Sequence, residues 1–143
     1  MSAQGLEIID TAAHTTYEWL NELSERLDWS SKRSALRLLR ATLHQIREHL
    51  LVDEMAQFSA QLPLLIKGMF IEGWVPNRTP SRARSADAFV RAIESELGKT
   101  DDYRGPEDIK YVFLLLNAHI SRGEIEDVRA SLPRGVRALW PAP

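Results

Sequence analysis

The chain has no cysteine and no long uninterrupted run of apolar residues. The absence of cysteine excludes disulfide bonds, thiolate metal sites and thiol catalysis, and it removes any sign of an oxidising compartment. No apolar run approaches the roughly 18 residues that a membrane span needs. The first residues also lack the basic and apolar segments of a secretion signal. We therefore expect a soluble, cytoplasmic protein with no membrane partner.

The net charge is also small. The chain has 18 lysines and arginines and 20 acidic residues, which gives a net charge of −2. This balance produces no global field that favours nucleic acid or an anionic membrane, so a charged partner would need a local patch. The chain has 143 residues, of which 44% are hydrophobic. That is enough for a core of ordinary size, and we expect a single domain over residues 1–143.

What the chain does contain is one apolar pattern laid down twice, at a constant offset of 70 residues. Trp19 in the first copy corresponds to Phe89 in the second, and a Leu-Pro dipeptide recurs at 62–63 and 132–133. Within each copy the apolar residues follow helical spacing, which predicts two longer helices followed by two short ones. The sequence thus predicts internal repeats.

These repeats are expected over residues 16–73 and 86–140, joined by a linker over 74–85. A unit of this size with one apolar stripe per helix cannot cover its own apolar surface well. We therefore predict an all-α fold of about eight helices. Two four-helix units, related by a pseudo-twofold axis, would pack into one bundle-like domain.

Local residues predict where the helices begin and end. The first helix is expected over 16–28, and a serine at 30–31 should cap the second. Asp53 is the predicted cap of the third helix, with the Glu54 carboxylate near the positive end of its dipole. Glu124 is equivalent to Glu54 under the offset and is expected to have the same role.

The Leu-Pro junctions also carry a family resemblance. The segments EMAQFSAQLP at 54–63 and EIEDVRASLP at 124–133, together with the short helices that follow them, resemble the signature of a prokaryotic family known as domain of unknown function 2267. The resemblance covers roughly residues 12–140. It implies a small, soluble, helical protein of two halves. Because that family has no established activity, the resemblance implies no catalytic residues.

Histidines offer a candidate paired site. His49 and His119 are equivalent under the offset, and a pseudo-twofold axis would allow them to share a metal ion or an anion. Alternatively, each lies near a helix C-terminus, where the dipole favours an imidazolium. No further ligands recur at metal-binding spacing, so no metal or cofactor is predicted. His44 and Glu48 are expected to form a helical pair on the surface.

Basic residues form a second candidate surface. The second helix should present a solvated basic face that includes Arg47, and the linker adds further arginines. Such a surface would contact phosphates, or it would simply pair with the acidic first helix. The candidate residues are Lys32, Arg33, Arg37, Arg40, Arg78, Arg82 and Arg84.

Trp29 is the third candidate, because its counterpart in the second half is Lys99. An exposed aromatic residue often marks a contact surface, and we expect Trp29 to do so.

No phosphate loop, nucleophile elbow or dinucleotide fingerprint is present. The preferred interpretation is a non-catalytic helical binding or scaffolding module that acts through protein contacts or as a homo-oligomer. One alternative is a nucleic-acid-associated protein that uses the arginines of the second helix and linker. Another is a small-ligand binder or enzyme that works in the groove between the repeats.

Overall fold

The computed structural model describes residues 6–143, which form eight α-helices, one short 3-10 helix and no strand. The predicted all-α fold is confirmed. None of the described helices is both long and apolar enough to cross a membrane. The α-helices are α1 (Glu7–Leu27), α2 (Lys32–Arg47), α3 (Val52–Ser59), α4 (Leu64–Ile71), α5 (Ala86–Leu97), α6 (Glu107–His119), α7 (Arg122–Ser131) and α8 (Arg134–Leu139), and the 3-10 helix is Pro76–Arg78.

The first helix is longer than its periodicity predicts. It begins at Glu7 rather than at residue 16, whereas α5 begins at Ala86, the position equivalent to 16. Adding turns to a helix that has already formed costs little, and Glu7 and Asp10 place negative charge at its positive end. Residues 7–15 therefore form a helical extension that the second half does not repeat.

Serine side chains cap three helix starts. Ser31 Oγ accepts a hydrogen bond from a backbone N–H of the first turn of α2, which confirms the predicted cap. Ser85 and Ser121 do the same for α5 and α7. Each cap satisfies an amide that would otherwise lack a partner at the start of a helix.

The start of α3 differs from its prediction. The helix begins at Val52, so Asp53 lies in its first turn and is not the cap. Instead, the Glu54 carboxylate accepts a hydrogen bond from the backbone N–H of Leu51 (2.7 Å). The predicted place of Glu54 at the positive end of the helix is confirmed.

The helices of the two halves pack across one another. α2 packs along α5 and α1 along α6, while α2 also contacts α6 and α3 contacts α7. The first helix of each half therefore lies against the second helix of the other half, and buried apolar residues of both halves form one core. The pseudo-twofold relation of the units stays a prediction, with which this exchange agrees.

Aromatic side chains occupy the centre of that core. Phe113 stacks on Trp140 with ring centroids 4.4 Å apart, and Phe89 lies 6.4 Å from Phe113. The indole N–H of Trp140 donates to Asn117 Oδ1 (2.8 Å). The polar edge of the buried indole is therefore satisfied.

The segment between α4 and α5 is attached to the far end of α2. The backbone N–H of Ser81 donates to the carbonyl oxygen of Glu48 (2.5 Å), the C-cap residue that follows α2. The linker arginines consequently lie near the C-terminal end of this helix.

Candidate binding surfaces

Two arginines of α2 are engaged within the fold instead of lying free on the solvated face that the sequence predicts. Arg37 donates to the carbonyl oxygen of Leu97, and Arg40 forms an ion pair with Glu72 (2.9 Å). Helical spacing correctly puts these two arginines on one side of α2, but packing against α4 and α5 leaves that side only partly exposed.

Arg47 is the clearest departure, because it is only 6% exposed. Its guanidinium donates to the carbonyl oxygens of Phe70 (3.0 Å) and Glu72. The C-terminal carbonyls of α4 lack partners within their own helix, and Arg47 satisfies two of them. It has a structural role instead of the expected solvent exposure.

The remaining basic candidates are split between the two ends of α2. Lys32 and Arg33 are exposed at its start, whereas Arg78, Arg82 and Arg84 are exposed in the segment attached at its end. At 1.5 Å per residue, the two ends of this helix are roughly 22 Å apart. The structure thus does not bring the basic residues into one continuous patch.

Trp29 is buried, so the expectation that it is exposed is wrong. Its side chain is 7% exposed, and its ring packs edge-on against Tyr103, with centroids 6.5 Å apart. The Tyr103 hydroxyl donates to Glu94 (2.7 Å), and burial together with this carboxylate raises the pKa of Tyr103. The loop that follows α5 therefore covers the indole, which sequence spacing does not reveal.

The structure places His49 and His119 in separate environments. His119 stacks on Trp19 and bonds to Glu22 (3.0 Å), whereas His49 packs against Phe89. Among residues 6–143, no three or more His, Asp or Glu side chains are grouped so as to hold a metal ion.

The dipole interpretation also fails for His49. The ring is buried, and its Nδ1 has no hydrogen-bond partner among the described residues. Burial, with a further contribution from the positive charge of Arg84, lowers the pKa of His49. A lowered pKa favours the neutral ring, not the imidazolium that a helix C-terminus would stabilise.

His44 connects helices instead of pairing with Glu48 on the surface, so that expectation is wrong. Its Nδ1 lies 2.6 Å from Glu96 of α5, and its Nε2 lies 2.7 Å from the carbonyl oxygen of Met69 in α4. The residue is buried between these helices. Its polar atoms are used within the fold.

An apolar groove of about 790 Å³ lies between the extension of α1 and the junction of α3 with α4. Ile8 and Leu64, on opposite walls, are 72% and 58% exposed. Such open apolar walls are typical of a contact surface. The residues that line this apolar groove are Glu7, Ile8, Thr11, Ala12, Thr15, Gln61, Leu62, Pro63 and Leu64.

The second half has different residues at the equivalent positions. Arg134 stands where the first half has Leu64, and the positions equivalent to the α1 extension belong to the segment between α4 and α5. Gly135 lies so close to the start of α5 that an added Cβ would be 3.0 Å from Ala86 Cβ. The apolar groove is thus made of features that the repeat does not duplicate.

A second cavity, of about 310 Å³, lies between α3 and α7. Glu54 and Glu124, equivalent under the offset of 70, both line it, and Ser131 Oγ donates to Glu54. The residues that line this α3–α7 cleft are Glu54, Gln57, Glu124, Asp127, Val128, Ala130 and Ser131. Its lining therefore carries three carboxylates and neither lysine nor arginine.

Glu124 is the buried member of this group. It is 9% exposed, and among the described residues its carboxylate has no hydrogen-bond or ion-pair partner. Burial, followed by the nearby Asp127 and Glu54 carboxylates, raises the pKa of Glu124 above its ordinary value of 4.5. The sequence shows that Glu124 is equivalent to Glu54 under the offset of 70. The predicted role of each glutamate at the start of its own helix does not indicate that both line one cavity.

A family model described as "Uncharacterized conserved protein (DUF2267)" matches residues 16–139. The chain belongs to the DUF2267 family. The resemblance seen at the Leu-Pro junctions is thereby confirmed. Among curated proteins, none matches the chain.

The two cavities differ in their relation to the DUF2267 region. The α3–α7 cleft lies entirely within the matched residues 16–139, whereas the apolar groove takes one wall from residues 7–15, which precede them. The cleft is consequently built from the DUF2267 repeat itself. The groove also needs the extension of α1 that is outside it.

Proposed function

We propose that this chain is a non-catalytic helical binding module that holds an amphipathic helix of a partner protein in the apolar groove. The observation that carries the proposal is the exposure of Ile8 and Leu64 on facing walls of one groove. Removing apolar surface from water is favourable by about 25 cal/mol per Å², against which the entropy lost on association counts. Two large exposed side chains beside one concavity therefore favour a partner with apolar side chains.

The shape of the apolar groove favours a helix as its occupant. Its α1 wall, residues 7–15, extends over about 12 Å, or two helical turns. Thr11, Ala12 and Thr15 are small, so a second helix can approach to the usual separation of about 8–10 Å. A helix that presents apolar residues at positions i, i+3 or i+4, and i+7 fits such a site.

The charge at one end of the groove suggests the partner's orientation. Glu7 and Asp10 lie in the first turn of α1. A lysine or arginine at the corresponding end of the partner helix would complement them and favour one orientation. We propose that this binding takes place in the cytoplasm, an inference that the lack of cysteine and of a described membrane-spanning helix supports.

The test uses a photoreactive amino acid at Thr11 of the full chain in its native host. The peptide that is cross-linked is identified, synthesised and titrated against the purified chain. We expect an amphipathic helical peptide whose affinity falls at least tenfold in Ile8→Asp and in Leu64→Asp. Ile9→Asp is the matched control, because Ile9 is 60% exposed on the same helix and does not line the groove.

Two outcomes would reject this proposal. One is an equal loss of affinity in the Ile9→Asp control, because the effect would then not be specific to the groove. The other is a cross-link to a second copy of the chain with a matching rise in mass in solution, which would make the occupant the chain itself.

Nucleic-acid binding is a second candidate, favoured by the exposure of Lys32, Arg33, Arg78 and Arg82. Its support is weaker, because Arg37 and Arg40 are engaged within the fold and the exposed residues lie at two ends of α2. Phosphate contacts are strong at low salt. If random duplex DNA and RNA are not bound at about 50 mM salt, this candidate is rejected.

A further inference from the structure

Glu124 is a buried acidic residue that lines a cavity. The residue is 9% exposed, and its carboxylate has no partner among the described residues, yet it lines a space of about 310 Å³. A carboxylate that is largely withdrawn from water and has no protein partner is stabilised when a ligand supplies one. The geometry therefore points to something that binds in this space.

The surroundings specify the charge of that ligand. Glu54 and Asp127 line the same cleft, and the lining contains neither lysine nor arginine. A cation at the Glu124 carboxylate would offset the negative charge of this lining. We propose that the α3–α7 cleft binds a small organic cation, with an alkylammonium or guanidinium group at the Glu124 carboxylate.

The lining favours an organic cation over a metal ion. The carboxylates in the described part of the chain are not grouped as metal ligands, and the volume lies at the lower end of the roughly 300–1,000 Å³ of ligand pockets. Val128 and Ala130 offer apolar surface for a methylene chain, and Gln57 and Ser131 offer further polar atoms. This combination suits a cationic head on an apolar stem.

Such a head group has two sources, a free amine or the lysine or arginine side chain of another protein. The chemistry recognised is the same in both. This inference does not depend on the helix-binding role of the apolar groove, because the two cavities share no lining residue.

The experiment titrates the full, isotope-labelled chain with putrescine, Nα-acetyl-lysine amide and magnesium chloride in separate arms, at constant ionic strength and neutral pH. We expect the two amines to cause saturable shifts in the backbone amide signals of α3 and α7. Tighter binding of putrescine would indicate a free amine as the source, and tighter binding of the lysine amide would indicate a side chain. Both outcomes support the proposal.

Glu124→Gln should weaken amine binding about tenfold or more, because it removes the central charge-assisted contact. Asp127→Asn, at an exposed position, should weaken it less and provides a variant that leaves the buried side chain unchanged. Glu126→Gln is the matched control, because Glu126 is exposed on the same helix and pairs with Arg122 (3.0 Å). Its affinity should equal that of the wild type.

Three results would overturn the proposal. They are the absence of saturable shifts with both amines at about 10 mM, binding of magnesium in place of the amines, and an equal loss of binding in Glu124→Gln and Glu126→Gln. The last result would mean that the amines associate with the acidic surface in general.

Discussion

The imidazole of His119 stacks on the indole of Trp19, with ring centroids 4.5 Å apart and planes inclined by 25°. The equivalent pair, His49 and Phe89, packs at 6.0 Å and 36°. The repeat therefore preserves a contact between the end of one half's second helix and the first helix of the other half. The environments differ, since His119 bonds to Glu22 whereas His49 is buried beside Arg84.

Because His49 is buried beside a positive charge, we expect it to make the stability of the fold depend on pH. Burial and Arg84 lower the pKa of His49 below 6.5, so on acidification the unfolded chain binds a proton before the folded chain does. Stability contributed by the neutral ring should thus be present above about pH 6.5 and decline as the pH falls towards the lowered pKa. Urea unfolding of the wild type and of His49→Gln between pH 7.5 and 5 measures this, and the variant should show a flatter profile.

Arg84→Met gives an independent check of the cause. Removing the positive charge should bring the pKa of His49 closer to 6.5 and reduce the pH dependence without eliminating it, because burial is the larger cause. Parallel profiles for the wild type and His49→Gln would show that His49 does not produce the effect.

For Glu124 we expect a pH dependence of stability with the opposite sign to that of His49. Its pKa is raised above 4.5, so the folded chain keeps the proton to a higher pH than the unfolded chain. Stability should therefore fall as the pH rises from about 4.5 through the raised pKa. Glu124→Gln removes this loss, so its stability relative to the wild type should increase across that window. Denaturant unfolding at pH 4 to 7 measures the difference, and the exposed Glu126→Gln should not reproduce it.

The helices and their core follow from the sequence because helical periodicity is a local property. The repeat of apolar positions predicts the buried residues of both halves, and Ser31 caps α2 as its position suggests. The missing part of the α1 prediction has a physical reason. Ile8 and Ile9, in the first turns of α1, are exposed. The extension therefore has no stripe of buried apolar residues from which helical periodicity could predict it.

The candidate surfaces were less predictable, because they depend on contacts between distant segments. Spacing puts Arg37 and Arg40 on one side of α2, but only packing decides whether that side meets water or another helix. The apolar groove likewise requires Ile8 and Leu64 to face one another across more than fifty residues of chain. Local rules supply neither relation.

Arg47 gives a prediction about the stability of the fold. Arg47→Met removes two hydrogen bonds to α4 carbonyls from a buried site, and we expect the free energy of unfolding to fall by about 2–4 kcal/mol. Arg33→Ala, at an exposed position on the same helix, should change it by no more than about 0.5 kcal/mol. Chemical denaturation at pH 7 distinguishes these values. A small effect at Arg47 would mean that water satisfies those carbonyls equally well.

The pair of Trp140 and Asn117 predicts an energetic coupling that a double-mutant cycle can measure. Asn117 accepts from the indole N–H (2.8 Å) and donates to the carbonyl oxygen of Pro141 (2.9 Å). Asn117→Leu leaves a buried indole donor without a partner and should cost about 1–3 kcal/mol. Trp140→Phe removes that donor together with part of the core volume, so the double variant should lose about 1 kcal/mol less than the sum of the single losses. Strict additivity would indicate that the indole N–H obtains no stability from Asn117, and that Asn117 acts only through its bond to Pro141.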